Sequence, residues 1–236
     1  MQENIFASKN IIPMALSISD KPFDSADFIF EIKFDGIRCI AYLDNKSTTL
    51  KSRNNNDITN IFPELATLHQ KVNARCIIDG EIIIANKGRS DFNALLKRFS
   101  LSDEFKIALA SKRNPVTFVA FDILYINNLQ RRNNLCGTNN KSYKGNSAEA
   151  QNLNQLFNTS LMHRKDILTD TMVADKHFIK SAHIEKNGIA FFNKAKELGL
   201  EGIVAKRKDS LYTSGVRSNN WKKIKTMPHS QFRKKF

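Results

Sequence analysis

A lysine set between two carboxylates on an otherwise apolar strand is the first feature of this sequence that could do chemistry. In FIFEIKFDGIRCIAY, residues 28–42, strand periodicity puts Phe28, Phe30, Ile32 and Phe34 on one face and Glu31, Lys33 and Asp35 on the other. A lysine amine becomes a nucleophile when its surroundings, or a bound cation and phosphate, help to remove its proton. The same three residues also suit a solvated strand face of weak ion pairs. Glu81 interrupts the isoleucines of CIIDGEIIIAN, where a buried carboxylate needs a partner or a metal. A strand end that leaves Glu81 wet after Asp79 and Gly80 is the other reading. In LGLEGIVAKR, Glu201 and Lys206 bracket an apolar strand, and Gly202 allows a close backbone approach. In RSNNWKKIK, Lys223 and Lys225 share a strand face, with Arg217 just upstream; a solvated basic edge has the same pattern. Phe121, in TFVAFDILY, is able to stack on a base, although an aromatic in such a strand usually belongs to the core.

The usual glycine-rich phosphate loops, GxxxxGK[ST] and GxGxxG after a strand, are absent, so any nucleotide must be held by side chains. A lysine nucleophile, two candidate metal-binding carboxylates and several cations together suit a nucleoside triphosphate. Phosphoryl chemistry is mainly positioning plus charge neutralisation, which this set can supply.

The elements that must position these residues are strands at Phe28–Lys33, Ile37–Leu43, Cys76–Ala85, Val116–Ile126, Gly202–Lys206 and Trp221–Ile224. Helices are expected over PELATLHQKV from Pro63, over SDFNALLKRF with Ser90 as N-cap, and over EKNGIAFFNKAKELGL up to Gly199. Strands and helices mix without a strict βαβ rhythm, so the fold class is α+β. A polar, asparagine-rich stretch at about 130–158 reads as a long loop or insertion, and residues 227–236 as a basic tail broken at Pro228.

The 236 residues permit one large domain or two small ones, on a norm of about 100–200 residues per domain. Lys and Arg number 37 against 23 Asp and Glu, and the net charge of +14 suits a polyanionic partner such as nucleic acid. Cys39, Cys76 and Cys136 are isolated, which indicates neither a disulfide framework nor a structural zinc. No basic segment leads into an apolar run at the N-terminus, and no stretch approaches the ~18 apolar residues of a membrane span. A soluble protein of a reducing cytoplasm is expected.

In order and spacing, KFDGIR, SRNNNDIT, IIDGEI, FVAFDIL, EGIVAKR and WKKIK resemble the six nucleotidyltransferase motifs of ATP-dependent DNA ligases. Connecting text such as FPEL, SDFNALLKR and LGLEGIVAKRKDSLY is similar to the ligase domain of bacterial end-joining ligases. The resemblance covers residues 31–225 apart from the polar insertion. It implies the DNA ligase/mRNA capping enzyme nucleotidyltransferase fold, two antiparallel sheets flanked by helices with the nucleotide between them. It also implies that Lys33 attacks the α-phosphate of ATP and carries AMP. Glu31, followed by Ile32 in the nucleotide-binding set, matches the residue that reads the adenine amino group, and Phe121 matches the base-stacking aromatic. Arg38 and Arg53 match residues near the ribose, the triphosphate or the DNA phosphate. Glu81 and Glu201 match the acidic positions that hold ribose or a divalent metal, Mg²⁺ or Mn²⁺. Lys206, Arg217, Lys223 and Lys225 match the cations around the α-phosphate, and Asp35 matches the motif's aspartate.

The substrate so implied is nicked double-stranded DNA in repair, with AMP passing to the 5′-phosphate and the 3′-hydroxyl sealing the strand. A nucleoid-associated cytoplasmic enzyme is expected, with no membrane partner. Family members usually continue into an OB-fold domain, and only MPHSQFRKKF follows WKKIKT here. The expectation is therefore an adenylation domain over 1–226 without an OB-fold, or one that receives an OB-fold from a partner in trans. An RNA ligase or capping-type nucleotidyltransferase, and a nicked-DNA or end-binding module with impaired turnover, are the competing readings.

Overall fold

Runs of β-branched and aromatic residues form the strands of two five-stranded sheets in the computed structural model, which describes residues 5–86, 88–127 and 155–226. The first sheet has the order β1 (Ala15–Ile18), β12 (Arg217–Lys225), β11 (Gly202–Arg207), β2 (Ser25–Ile32), β10 (His183–Lys186). The second has the order β4 (Thr48–Ser52), β3 (Ile37–Leu43), β5 (Cys76–Ile83), β8 (Thr117–Ile126), β9 (Phe178–Lys180). A small hairpin pairs β6 (Ala85–Asn86) with β7 (Arg89–Ser90). Pairing is antiparallel except at one edge of each sheet, where β1 runs parallel to β12 and β9 parallel to β8. The expected α+β fold with two sheets is present, with those parallel edges added.

The two sheets face each other. Ile29 of β2 and Trp221 of β12 pack with Ile40 and Tyr42 of β3, Ile77 of β5 and Phe121 and Leu124 of β8. On the outside of the first sheet, Phe30, Ala205 and Ile224 pack against α5 (Gly188–Glu197) through Phe191, Phe192 and Ala195. On the outside of the second, Cys39, Ile78 and Phe118 pack with Leu95 of α2 (Phe92–Phe99) and Ile167 and Leu168 of α4 (Leu161–Thr171). Both sheets are thus covered on both sides, which explains why their central strands read as almost continuous apolar runs. A polar group on an inner face must find its partner there, and several such groups line the candidate site.

Several local expectations are corrected. The segment from Pro63 forms successive 3₁₀ turns at Pro63–Leu65 and Leu68–Lys71, since no apolar face of α-helical period is sustained. The N-cap of α2 is Asp91, not Ser90: its carboxylate accepts the Ala94 N–H at 2.9 Å. A further helix, α3 (Glu104–Arg113), is capped by Asp103 in the same way. β2 ends at Ile32, so Lys33 to Asp35 leave the strand before the chain turns into β3. The polar stretch at about 130–158, apart from residues 155–158, and the tail at 227–236 lie outside the described residues. Among the described residues, no helix is long and apolar enough to cross a membrane.

Candidate active site

Lys33 follows the last residue of β2, where its backbone N–H donates to the Gly202 carbonyl at 2.9 Å. Gly202 has φ +153°, and a Cβ there would meet the Ile224 carbonyl oxygen at 2.1 Å, so only glycine permits this approach. The next residue back, Glu201, accepts a 2.6 Å hydrogen bond from Lys33 Nζ and stands 3.4 Å from Lys225 Nζ. Lys223 and Lys225 share a face of β12 beside β11. Burial first, then Lys225, Lys33 and Arg217, pulls Lys223 below the usual lysine pKa, the signature of cations crowded together. Arg217 lies at the rim, where its guanidinium donates to the Leu16 carbonyl.

The opposite wall is built by β3 and β5, on which Arg38 and Glu81 are cross-strand partners. Gly36 passes so close to β5 that a Cβ would meet the Ile82 carbonyl oxygen at 2.4 Å and Glu81 Cγ at 2.8 Å. The loop carrying Lys33 to Arg38 is thereby pressed onto Glu81. Burial, reinforced by Asp79 and Glu201 and opposed by Arg38 and Lys33, pushes the Glu81 carboxyl up to about 7. Arg38 donates two 2.7 Å hydrogen bonds to the fully buried Asp79, which also accepts the Tyr212 hydroxyl at 2.6 Å. Burial alone would lower the Arg38 pKa, but Asp79 more than reverses this. The guanidinium also lies 4.5 Å from the Phe121 ring centre.

Between these walls sits Glu31, buried at 2% exposure on the inner face of β2. Its carboxylate pairs with Lys206 of β11 at 2.6 Å and with Lys165 of α4. Burial would raise its pKa, and the two lysines outweigh that, holding Glu31 below the usual carboxylate range. Lys206 in turn lies 4.2 Å from the Phe121 ring centre and 4.3 Å from that of Trp221. Burial, opposed by Glu31 and reinforced by Lys165, brings the Lys206 pKa down to about 8.

One cleft is lined by Glu31, Ile32, Lys33, Arg38, Glu81, Phe121 and Lys206, seven residues singled out in the sequence. An adjoining cleft adds Arg53 to Arg38 and Glu81, with Asn54, Asn56 and Phe99 along its wall. Lys33 and Glu31 find their partners on other strands and on α4, which sets aside the solvated-face reading of that segment. Lys165, Asp79 and Tyr212 complete the site and were not anticipated. Asp79 stood one residue from the glycine of IIDGEI, a charge inside an isoleucine run. Lys165 follows the polar insertion in a helix of no marked amphipathic period, and nothing in its local sequence gives it away.

Residues 15–225 match the family model of the ATP dependent DNA ligase domain. The chain is 32% identical over 215 residues, 91% of its length, to the SPbeta prophage-derived DNA ligase-like protein LigB of Bacillus subtilis, and spans 67% of that protein. It is 39% identical over 112 residues to DNA ligase C of Mycobacterium tuberculosis, 47% of this chain and 30% of that one. The fold matches mycobacterial DNA ligase D complexed with ATP and MES at a TM-score of 0.67 and 23% identity, over 92% of this chain and 60% of that one. With its motif residues on and around two adjoining clefts, the chain belongs to the ATP-dependent DNA ligase domain family.

Proposed function

We propose that this chain is the adenylation core of an ATP-dependent DNA ligase, with Lys33 as the residue that carries AMP. The observation that carries the reading is the position of Lys33: its ammonium is held 2.6 Å from Glu201 at the mouth of a cleft lined by Glu31, Phe121 and Lys206. In this reading Phe121 stacks on the base, Glu31 faces its exocyclic amine, and Lys206, Lys223, Lys225 and Arg217 neutralise the phosphates. Arg53 and Arg38, on the adjoining cleft, suit the DNA phosphate at a nick or the ribose and triphosphate of ATP.

The chemistry follows from these positions. Lys33 gives up a proton to solvent and its bond to Glu201, and its nitrogen lone pair attacks the α-phosphorus. An N–P bond forms while the P–O bond to pyrophosphate breaks. The 5′-phosphate of the nick then displaces Lys33 from phosphorus, and the amine regains a proton. The 3′-hydroxyl finally attacks the activated 5′-phosphorus and expels AMP. Glu81 and Glu201 suit a divalent cation, since they repel one another when both are ionised and a cation between them relieves that. Those two carboxylates would hold Mg²⁺ or Mn²⁺, which would neutralise the phosphate charge.

The excess of basic residues suits sequence-independent contacts with nicked duplex DNA, which weaken steeply with salt. Residues 1–226 form the adenylation unit in this reading, 227–236 a basic extension, and an OB-fold supplied in trans completes the clamp on DNA in the cytoplasm, at the nucleoid. Incubation with Mg²⁺ and α-labelled ATP, followed by denaturation, tests the first step: retained label supports it. Sealing of a pre-adenylated nick tests the last.

A further inference from the structure

Lys165 lies outside every motif that carries the family resemblance, yet it is buried between the two walls of the cleft. It comes from α4, which packs along β8. Its ammonium pairs with Glu31 on the first sheet and donates a 3.0 Å hydrogen bond to the backbone carbonyl of Phe121 on the second. One side chain therefore ties the carboxylate assigned to the base edge to the strand that carries the stacking ring.

The charge state and direction of Glu31 decide what it can recognise. An ionised carboxylate only accepts hydrogen bonds, whereas a protonated one also donates. The 6-amino group of adenine is a donor, and the 6-oxo group of hypoxanthine or guanine is an acceptor. A Glu31 that stays ionised and fixed favours the 6-amino purine; one that takes a proton can serve either. Lys206 pairs with the other carboxylate oxygen, but it also lies beneath two rings and lines the cleft itself. Lys165 is not among the residues lining the cleft, so it acts through its two partners. Two further titratable groups stand near the pair: Asp122, whose charge acts on Lys206, and His183, opposite Glu31 on β10, whose pKa is lowered by burial and by Lys165.

We propose that Lys165 is a positioning residue that sets purine specificity, fixing the Glu31 carboxylate relative to Phe121 so that the cleft selects a 6-amino over a 6-oxo purine nucleotide. This rests on the assignment of Glu31 to the base edge.

The test is the rate of Lys33 labelling by α-labelled ATP and by α-labelled inosine triphosphate, which differ at the 6-position. Wild type is expected to prefer ATP. In Lys165→Met the KM for ATP rises, kcat at saturating ATP is largely kept, and the ATP preference in kcat/KM falls by roughly tenfold or more. Lys165→Arg, which keeps the charge and the donors, restores the preference. A folded Lys165→Met protein with the wild-type preference overturns the proposal, as does a fall in kcat with the preference unchanged. If the loss of Lys165 unfolds the chain, Glu31→Gln is compared with Glu31→Gln/Lys165→Met, in which neither charge of the Lys165–Glu31 pair remains and Lys206 is in the same state in both. The two are expected to share one preference, and a further fall in the double variant overturns the proposal. Wild type labelled equally well by both nucleotides overturns the assignment of Glu31 itself, and the inference with it.

Discussion

Lys33 and Glu201 meet through a 2.6 Å hydrogen bond, although 168 positions separate them in the chain. Glu201 stands just before β11 and Lys33 just after β2, so the pairing of those two strands brings their flanking residues, and with them the two side chains, together. Glu201 has two roles in the proposed chemistry, as partner of the resting lysine and as a candidate metal ligand. Glu201→Gln is expected to slow formation of the covalent adduct about 10- to 100-fold at saturating ATP, as loss of a metal-site carboxylate commonly does. Single-turnover labelling at fixed Mg²⁺ measures this, and an unchanged rate would remove Glu201 from the site.

Glu81 gives a pH dependence whose sign is fixed. Its carboxyl sits at about 7 in the fold against 4.5 as an ordinary glutamate. The folded state holds this proton more tightly, so the stabilisation is complete below the unfolded value and disappears as pH rises through about 7. Glu81→Gln should therefore raise the melting temperature of the ligand-free protein at pH 8, with the difference shrinking toward pH 5. Thermal melts of the two proteins across that range check it. The same substitution should depress adenylation at every pH.

Phe121 is a core residue as well as a candidate stacking platform, with only 7% of its surface exposed. Truncation to alanine is expected to cost stability by about 3–5 kcal/mol, which would mask any effect on nucleotide. Phe121→Leu keeps most of the volume and removes the ring. Its expected signature is weaker ATP binding by roughly 1–3 kcal/mol with a modest fall in melting temperature, read by titration and by thermal melt on one sample.

Tyr212 fixes the far end of the Arg38 clamp. Its hydroxyl donates 2.6 Å to a carboxylate that is wholly buried and already shared with Arg38. Tyr212→Phe should destabilise the chain by about 1.5–3 kcal/mol, the usual worth of a hydrogen bond to a charged group, measured by denaturant titration. An effect near zero would mean that Arg38 alone satisfies Asp79.

The sequence made the central strands and the candidate nucleophile legible because each has a local signature. β2, β3, β5, β8 and β11 are apolar runs, and the charges on or beside them stand out against the isoleucines and valines. β1, β4, β9 and β10 escaped because they are short, partly polar edge strands whose existence depends on a neighbour. The helix expected from Pro63 became 3₁₀ turns because its apolar residues sustain no face of α-helical period. At the site, Lys33, Glu81 and Glu201 carried their own clue, whereas Lys165 did not. It belongs to a helix that packs along β8, and a long-range ion pair leaves no trace in the residues around it.

The most direct measurement is covalent labelling of wild type and Lys33→Ala by α-labelled ATP with Mg²⁺, read after denaturation and mapped by peptide mass. The expected result is one labelled peptide containing Lys33 in wild type and none in the variant, with the variant's fold intact by circular dichroism. Label retained in Lys33→Ala, or mapped to another lysine, would contradict the assignment on which the proposed function stands.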